Sequence, residues 1–134
     1  MDKRVGKKPE QREAIEQEAL FRWVSFYRGY CPDVDLLYHI PNGGKRDAKE
    51  AAHLKRQGVR AGIPDLCLPV PRGGFHGLYI ELKAGENKPT EKQKGWLDAL
   101  TKQGYATAVC YGWQAAKEVI EKYLGMRGAN GKNI

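Results

Sequence analysis

Apolar residues return every three or four positions in four stretches of the chain and crowd into short runs in four others. The first spacing lays an apolar stripe along a helix, and the second fits strands buried on a sheet. A helix is predicted from Pro9, since proline suits a first helical turn. Its stripe is Ile15, Ala19, Trp23 and Phe26, and Gly29 and Pro32 end it. A second, strongly charged helix is predicted over Arg46 to Gln57, with Ala48, Ala51, Ala52 and Leu54 set among basic residues. Thr90 with Gln93 three positions on reads as a capping box opening a third helix, which Gly104 closes. Trp113 to Leu124 is the fourth, carrying Ala116, Val119, Ile120 and Tyr123. The strand-like runs are Leu36 to Ile40, Leu66 to Leu68, Leu78 to Lys83 and Tyr105 to Tyr111.

Pro41-Asn42-Gly43-Gly44 stops the first strand, and Arg72-Gly73-Gly74 joins the second and third as a hairpin. The elements place the chain in the α/β class, as a central sheet flanked by helices with a right-handed crossover near its end. Its 134 residues suffice for one domain, expected over 9–124. Residues 1–8 are polar and basic without periodicity and are expected to be a flexible arm. Residues 125–134 hold little to bury and are expected to be a flexible tail.

Three side chains on the hairpin stand out. Asp65 opens its first strand in Gly62-Ile63-Pro64-Asp65, and Glu81 and Lys83 lie two apart on the second. Residues two apart on a strand share a face, so Glu81 and Lys83 project together while Ile80 and Leu82 face the other way. A charged residue inside a buried strand is costly without a purpose. Two carboxylates, with the Leu82 carbonyl between Glu81 and Lys83, suit a hard cation such as Mg2+ or Mn2+. A neighbouring lysine suits charge building on a phosphate, or orients a water. Similar letters recur as Pro32-Asp33 and as Glu86-Asn87-Lys88. The first lies far upstream of Glu81, and the second sits in a loop between Gly85 and Pro89, so neither has the strand context.

Lysine and arginine outnumber aspartate and glutamate by 23 to 16, giving +7 and a pI near 9.4. That surplus favours an anionic partner, nucleic acid before others. Lys45, Arg46, Lys49, Lys55, Arg56 and Arg60 make a basic segment able to track phosphates, and Lys92 is a further candidate contact. Such contacts position a duplex without reading its bases, so shape rather than sequence is the expected target. Cys31, Cys67 and Cys110 form no CxxC pair and are odd in number, which argues against a disulfide framework or a zinc site and fits a reducing compartment. No stretch has the length of a membrane span or a signal-peptide core.

Ile-Pro-Asn-Gly-Gly, Gly-Ile-Pro-Asp, Ile-Glu-Leu-Lys and the downstream Thr-Glu-Lys-Gln together resemble the VRR-NUC family of the PD-(D/E)xK nuclease superfamily, from about Glu18 to Tyr111. The resemblance implies a restriction-endonuclease-like mixed sheet between helices, in αβββαβ order. It implies that Asp65, Glu81 and Lys83 are catalytic, that Glu18 of the first helix joins Asp65, Glu81 and the Leu82 carbonyl around the metal, and that Gln93 lies near the active site. Asn42, Gly43 and Gly44 match the family's Pro-Asn-Gly-Gly element and are expected, with Lys45, Arg46, Arg60 and Lys92, to contact DNA. His39, in the same element, reads as a structural histidine. Chains of this size are expected to work as homodimers on branched DNA, in a bacterial or phage-infected cytoplasm. A Holliday-junction resolvase is the leading expectation. The alternatives are a monomeric flap or nicking endonuclease and a non-catalytic nucleic-acid-binding module. Trp23, Phe26, Tyr27 and Trp113 serve either the dimer seam or the core.

Overall fold

The computed structural model describes residues 6, 8–42 and 47–128. Helix α1 (Pro9–Tyr27) leads through a 3-10 turn (Pro32–Leu36) to strand β1 (Tyr38–His39), and then to helix α2 (Ala48–Arg56). Strands β2 (Leu66–Leu68) and β3 (Leu78–Lys83) follow, then helix α3 (Glu91–Lys102), strand β4 (Ala106–Tyr111) and helix α4 (Trp113–Leu124). The sheet runs β1-β2-β3-β4. Its first two pairings are antiparallel, and β3 and β4 are parallel. A parallel pair needs a crossover, and α3 supplies it.

Register fixes what each face carries. Leu66 lies opposite Ile80 and Leu68 opposite Leu78, while Ile80 and Leu82 pair with Ala108 and Cys110. All of these but the half-buried Ala108, which packs against them, form one buried cluster with Leu20 and Val24 of α1 and Ala116 and Ile120 of α4. The other face carries Tyr79, Glu81 and Lys83, and α3 packs there against β4, its Thr101 hydroxyl 2.8 Å from that of Thr107. All three cysteines are buried thiols. Among the described residues no helix is long and apolar enough to cross a membrane.

Three local readings change. The strand expected over Leu36 to Ile40 shrinks to two residues, because Pro32 opens a 3-10 turn instead. Within that turn Asp33 accepts from buried Arg72 at 2.6 Å, so the upstream Pro-Asp ties down the hairpin tip rather than joining a site. The buried face of α1 is Glu16, Leu20 and Val24, whereas Phe26 is 81% exposed. The tail expected to fray from Gly125 is held over residues 125–128: the Arg127 carbonyl accepts from Gly73 N–H, and Gly128 bridges to Arg72.

Candidate active site

The β2–β3 register places Asp65 beside Glu81, one step past the Leu66–Ile80 pair. A hydrogen bond secures that meeting, since the Leu82 N–H donates to Asp65 Oδ2 at 2.8 Å. The Asp65 backbone is held from the other side. Its carbonyl accepts from Ile40 N–H at 2.7 Å and lies 2.9 Å from His39 Nδ1. That contact needs the proton on Nδ1, so His39 is a donor that braces Asp65.

Glu81 and Lys83 are 2% and 3% exposed, with Nζ 3.5 Å from Oε2. Burial and then the nearby Asp65 carboxylate push the Glu81 carboxyl up to about 8, against the pull of Lys83. Asp65 is also raised by burial, while the Leu82 N–H, Glu81, His39 and Lys83 draw it back. The two carboxyls are close enough to share a proton, as acids forced together do.

That proton marks a place for a cation. Glu81 Oε1 is buried with no hydrogen-bond partner among the described residues, a state that a metal ligand relieves. On an extended strand the N–H and C=O of one residue point to the same edge. The Leu82 carbonyl therefore points to the edge where Asp65 lies, while the Lys83 carbonyl is taken on the opposite edge by Gly112 N–H. Two carboxylates and one backbone carbonyl form an all-oxygen donor set that fits Mg2+ or Mn2+.

Glu18 is not brought to this set. It is exposed, and among the described residues no group of three or more His, Cys, Asp or Glu side chains is placed to hold a metal. The physical reason is helical phase: Glu18 lies about 200° round the axis from buried Glu16. Glu16 Oε1 accepts the Trp113 N–H at 3.0 Å and so caps α4, whose N-cap position is Gly112. Gly112 has φ +88°, and a Cβ there would lie 3.1 Å from Glu16 Oε1, so glycine serves both the turn and the cap. Another α1 carboxylate, Glu13, accepts from Asn87 in the loop after β3 at 3.1 Å. Leu20 and Val24, four apart, were the signal in the sequence for this face.

Gln93 sits where the capping box puts it. Its Oε1 accepts the Thr90 N–H at 2.8 Å, and its N–H donates to Thr90 Oγ1 at 3.2 Å. The side-chain oxygen is therefore committed to the cap, leaving the amide NH2 for any other role. Asn42, Arg60 and Lys92 come together along a cleft of about 830 Å³ between α2 and α3. Lys92 reaches it across Gly62, where φ is +83° and a Cβ would stand 2.6 Å from Lys92 Cγ. Gly43, Gly44, Lys45 and Arg46 lie outside the described residues. The cleft also contains Trp96, which the sequence reading passed over. Its indole N–H donates to the Ala61 carbonyl at 3.2 Å, and the Arg60 guanidinium lies 5.4 Å from its ring centroid.

No curated protein matches the chain significantly. A solved structure described as a VRR_NUC domain protein is 33% identical, with a TM-score of 0.75 over 91% of this chain and 95% of that one. The family model for the VRR-NUC domain matches residues 10–114, a span that holds every side chain of the carboxylate site. On that match the chain belongs to the VRR-NUC domain family, a family of nucleases.

Proposed function

We propose that the chain is a metal-dependent DNA endonuclease selective for branched structures, acting as a homodimeric Holliday-junction resolvase. The observation that carries the chemistry is the Asp65, Glu81 and Lys83 group, in which Glu81 and Lys83 are buried and Glu81 Oε1 is left without a partner. Asp65, Glu81 and the Leu82 carbonyl would hold Mg2+ or Mn2+. When bound, the metal supplies Lewis-acid polarisation of the scissile phosphate and a lowered pKa for an attacking water. Lys83 places its ammonium beside that position, where it stabilises charge on the phosphorus oxygens or orients the water. His39 and the Ile40 N–H keep the Asp65 backbone from turning its carboxylate away. Asn42, Arg60 and Lys92 supply phosphate contacts beside the cut, and Gln93 presents its amide NH2 from the same helical turn as Lys92.

The junction preference rests on symmetry. A four-way junction needs two cuts related by a two-fold axis, which a C2 dimer provides. Phe26 and Tyr30, 81% and 83% exposed near the end of α1, offer apolar surface for such a contact. The test is cleavage of matched four-way junction, flap and linear duplex with Mg2+ or Mn2+, beside Asp65→Ala and Lys83→Ala. Paired symmetric nicks in the junction, lost in both variants, are expected. Cutting confined to flaps would sink the resolvase reading. DNA binding without metal-dependent cleavage of any substrate would leave only a binding module. Sedimentation showing monomer with and without junction would remove the dimer.

A further inference from the structure

The cleft between α2 and α3 holds more than a track for phosphates needs. Leu54 and Val59 line one side, and Trp96 and Ala99 the other. Lys55, Arg60 and Lys92 are the charged residues of the lining, and no acidic residue takes part among the described residues. Trp96 is held in place through Ala61, with the Arg60 guanidinium over one face of its ring. A fixed aromatic plane among cations takes a base on its face and a phosphate on its charges. A paired duplex keeps its bases stacked inside and would offer this apolar surface only sugar and phosphate.

Gly95 is the independent observation. It lies inside α3, where glycine weakens a helix. Its φ is not positive, so the backbone does not call for glycine. A Cβ built on it meets nothing within 4 Å, so packing within the protein does not call for it either. Gly95 lines the cleft, however, and a side chain there would project into that space.

We infer that the α2/α3 cleft binds an unpaired nucleotide of the DNA substrate, its base against Trp96 and the apolar lining and its phosphates on Lys55, Arg60 and Lys92. The inference rests on the reading of the chain as a structure-selective DNA nuclease, and it adds that a base at the branch point is unpaired when the substrate is held. A volume of about 830 Å³ accommodates a nucleotide. The cleft also adjoins the chemistry: the Lys92 stem lies against Gly62, which leads through Ile63 and Pro64 to Asp65.

Binding is measured in EDTA, so that no cleavage is required. The probes are a labelled duplex ending in about ten unpaired thymidines and a fully paired duplex of equal length. The native chain is expected to favour the partly single-stranded DNA by roughly tenfold. Gly95→Leu fills the cleft with a better helix former, so it should keep or raise Tm, remove the preference and leave paired-duplex affinity within about twofold. Trp96→Ala should remove the preference and Trp96→Phe should retain part of it. Should either cleft variant melt early, Gly95→Ala, which relieves the helix, must still reduce the preference. A native chain with no preference, or a Gly95→Leu that keeps it or weakens both DNAs equally, overturns the inference. The nuclease reading fails separately. A chain that prefers unpaired DNA yet cuts nothing with Mg2+ keeps the cleft and loses the enzyme, while one that cuts without preference does the reverse.

Discussion

The strand floor of the site and the helical wall beside it carry charge in opposite ways. On the floor, Glu81 and Lys83 are 2% and 3% exposed on a strand hydrogen-bonded on both sides. On the wall, α2 and α3 contain no buried residue, and Arg60 and Lys92 are exposed. Buried charges have left water before any substrate arrives, so their fields act at full strength and their loss is costly. Exposed cations remain solvated, and each contributes little until a phosphate replaces its water. The difference separates chemistry from binding: substitutions on the floor should stop turnover, and substitutions on the wall should change affinity and its salt dependence.

The largest effects belong to the floor. Asp65→Ala, Glu81→Gln and Lys83→Ala are each expected to lower single-turnover cleavage by about 10³-fold or more while leaving DNA affinity within about threefold. Glu81→Ala adds a stability cost, because the buried Lys83 Nζ loses the Oε2 that it faces at 3.5 Å; about 2 kcal/mol is expected from urea unfolding. If affinity fell in step with cleavage, the separation of floor from wall would be wrong.

The second effect is a slope. In the metal-free fold Glu81 keeps its proton up to about pH 8, whereas an ordinary glutamate releases it near 4.5. Between those values the folded state binds more protons than the unfolded chain, so stability falls as pH rises. This is the reverse of a salt-bridged carboxylate, whose contribution is lost in acid. A decline on the order of 3 kcal/mol from pH 5 to pH 8 is expected, measured against Glu81→Gln, which should lack it. Saturating Mg2+ should flatten the native profile by taking the place of the shared proton. A native profile parallel to that of Glu81→Gln would remove the argument for a strained carboxyl.

Much of this was legible in the sequence, and the misses share a cause. Asp65, Glu81 and Lys83 could be placed because strand alternation has period two, and a one-residue slip would have sent Ile80 and Leu82 to solvent. The Thr90 cap could be placed because a capping box is local. Helix α1 was harder. Its apolar residues occupy most of the circumference, so the stripe Ile15, Ala19, Trp23, Phe26 competed with Glu16, Leu20, Val24. Only docking against α4 and β3 selected the second, and with that phase Glu18 moved to solvent. The cleft was illegible for a related reason. It exists only because the loop carrying Val59, Arg60 and Ala61 brings α2 beside α3, and neither helix has a buried residue to announce a partner.

The wall predicts smaller changes. Arg60→Ala and Lys92→Ala should each weaken duplex binding about three- to tenfold, reduce the slope of log affinity against log salt by about one, and leave Tm within about 1 °C. A loss of affinity with an unchanged salt slope would mean that these side chains shape the cleft rather than meet phosphates. For Arg60 that outcome is a specific risk, since its guanidinium already lies over Trp96.

The finest comparison sits at the boundary between floor and wall. Thr90 and Gln93 close the capping box of α3 reciprocally, at 3.2 and 2.8 Å, and removing either member should cost about 1 kcal/mol. Thr90→Ala and Gln93→Ala should therefore be alike in urea unfolding, which makes Thr90→Ala the control for the purely structural share of Gln93. If the Gln93 amide NH2 also meets the substrate, Gln93→Ala should lower kcat about tenfold further than Thr90→Ala. Gln93→Glu sharpens the comparison, because a carboxylate at that position still accepts the Thr90 N–H but offers no NH2. Full stability with reduced kcat in Gln93→Glu would put the residue on the catalytic side of the boundary. Equal kcat across all three variants would leave it a cap and nothing more.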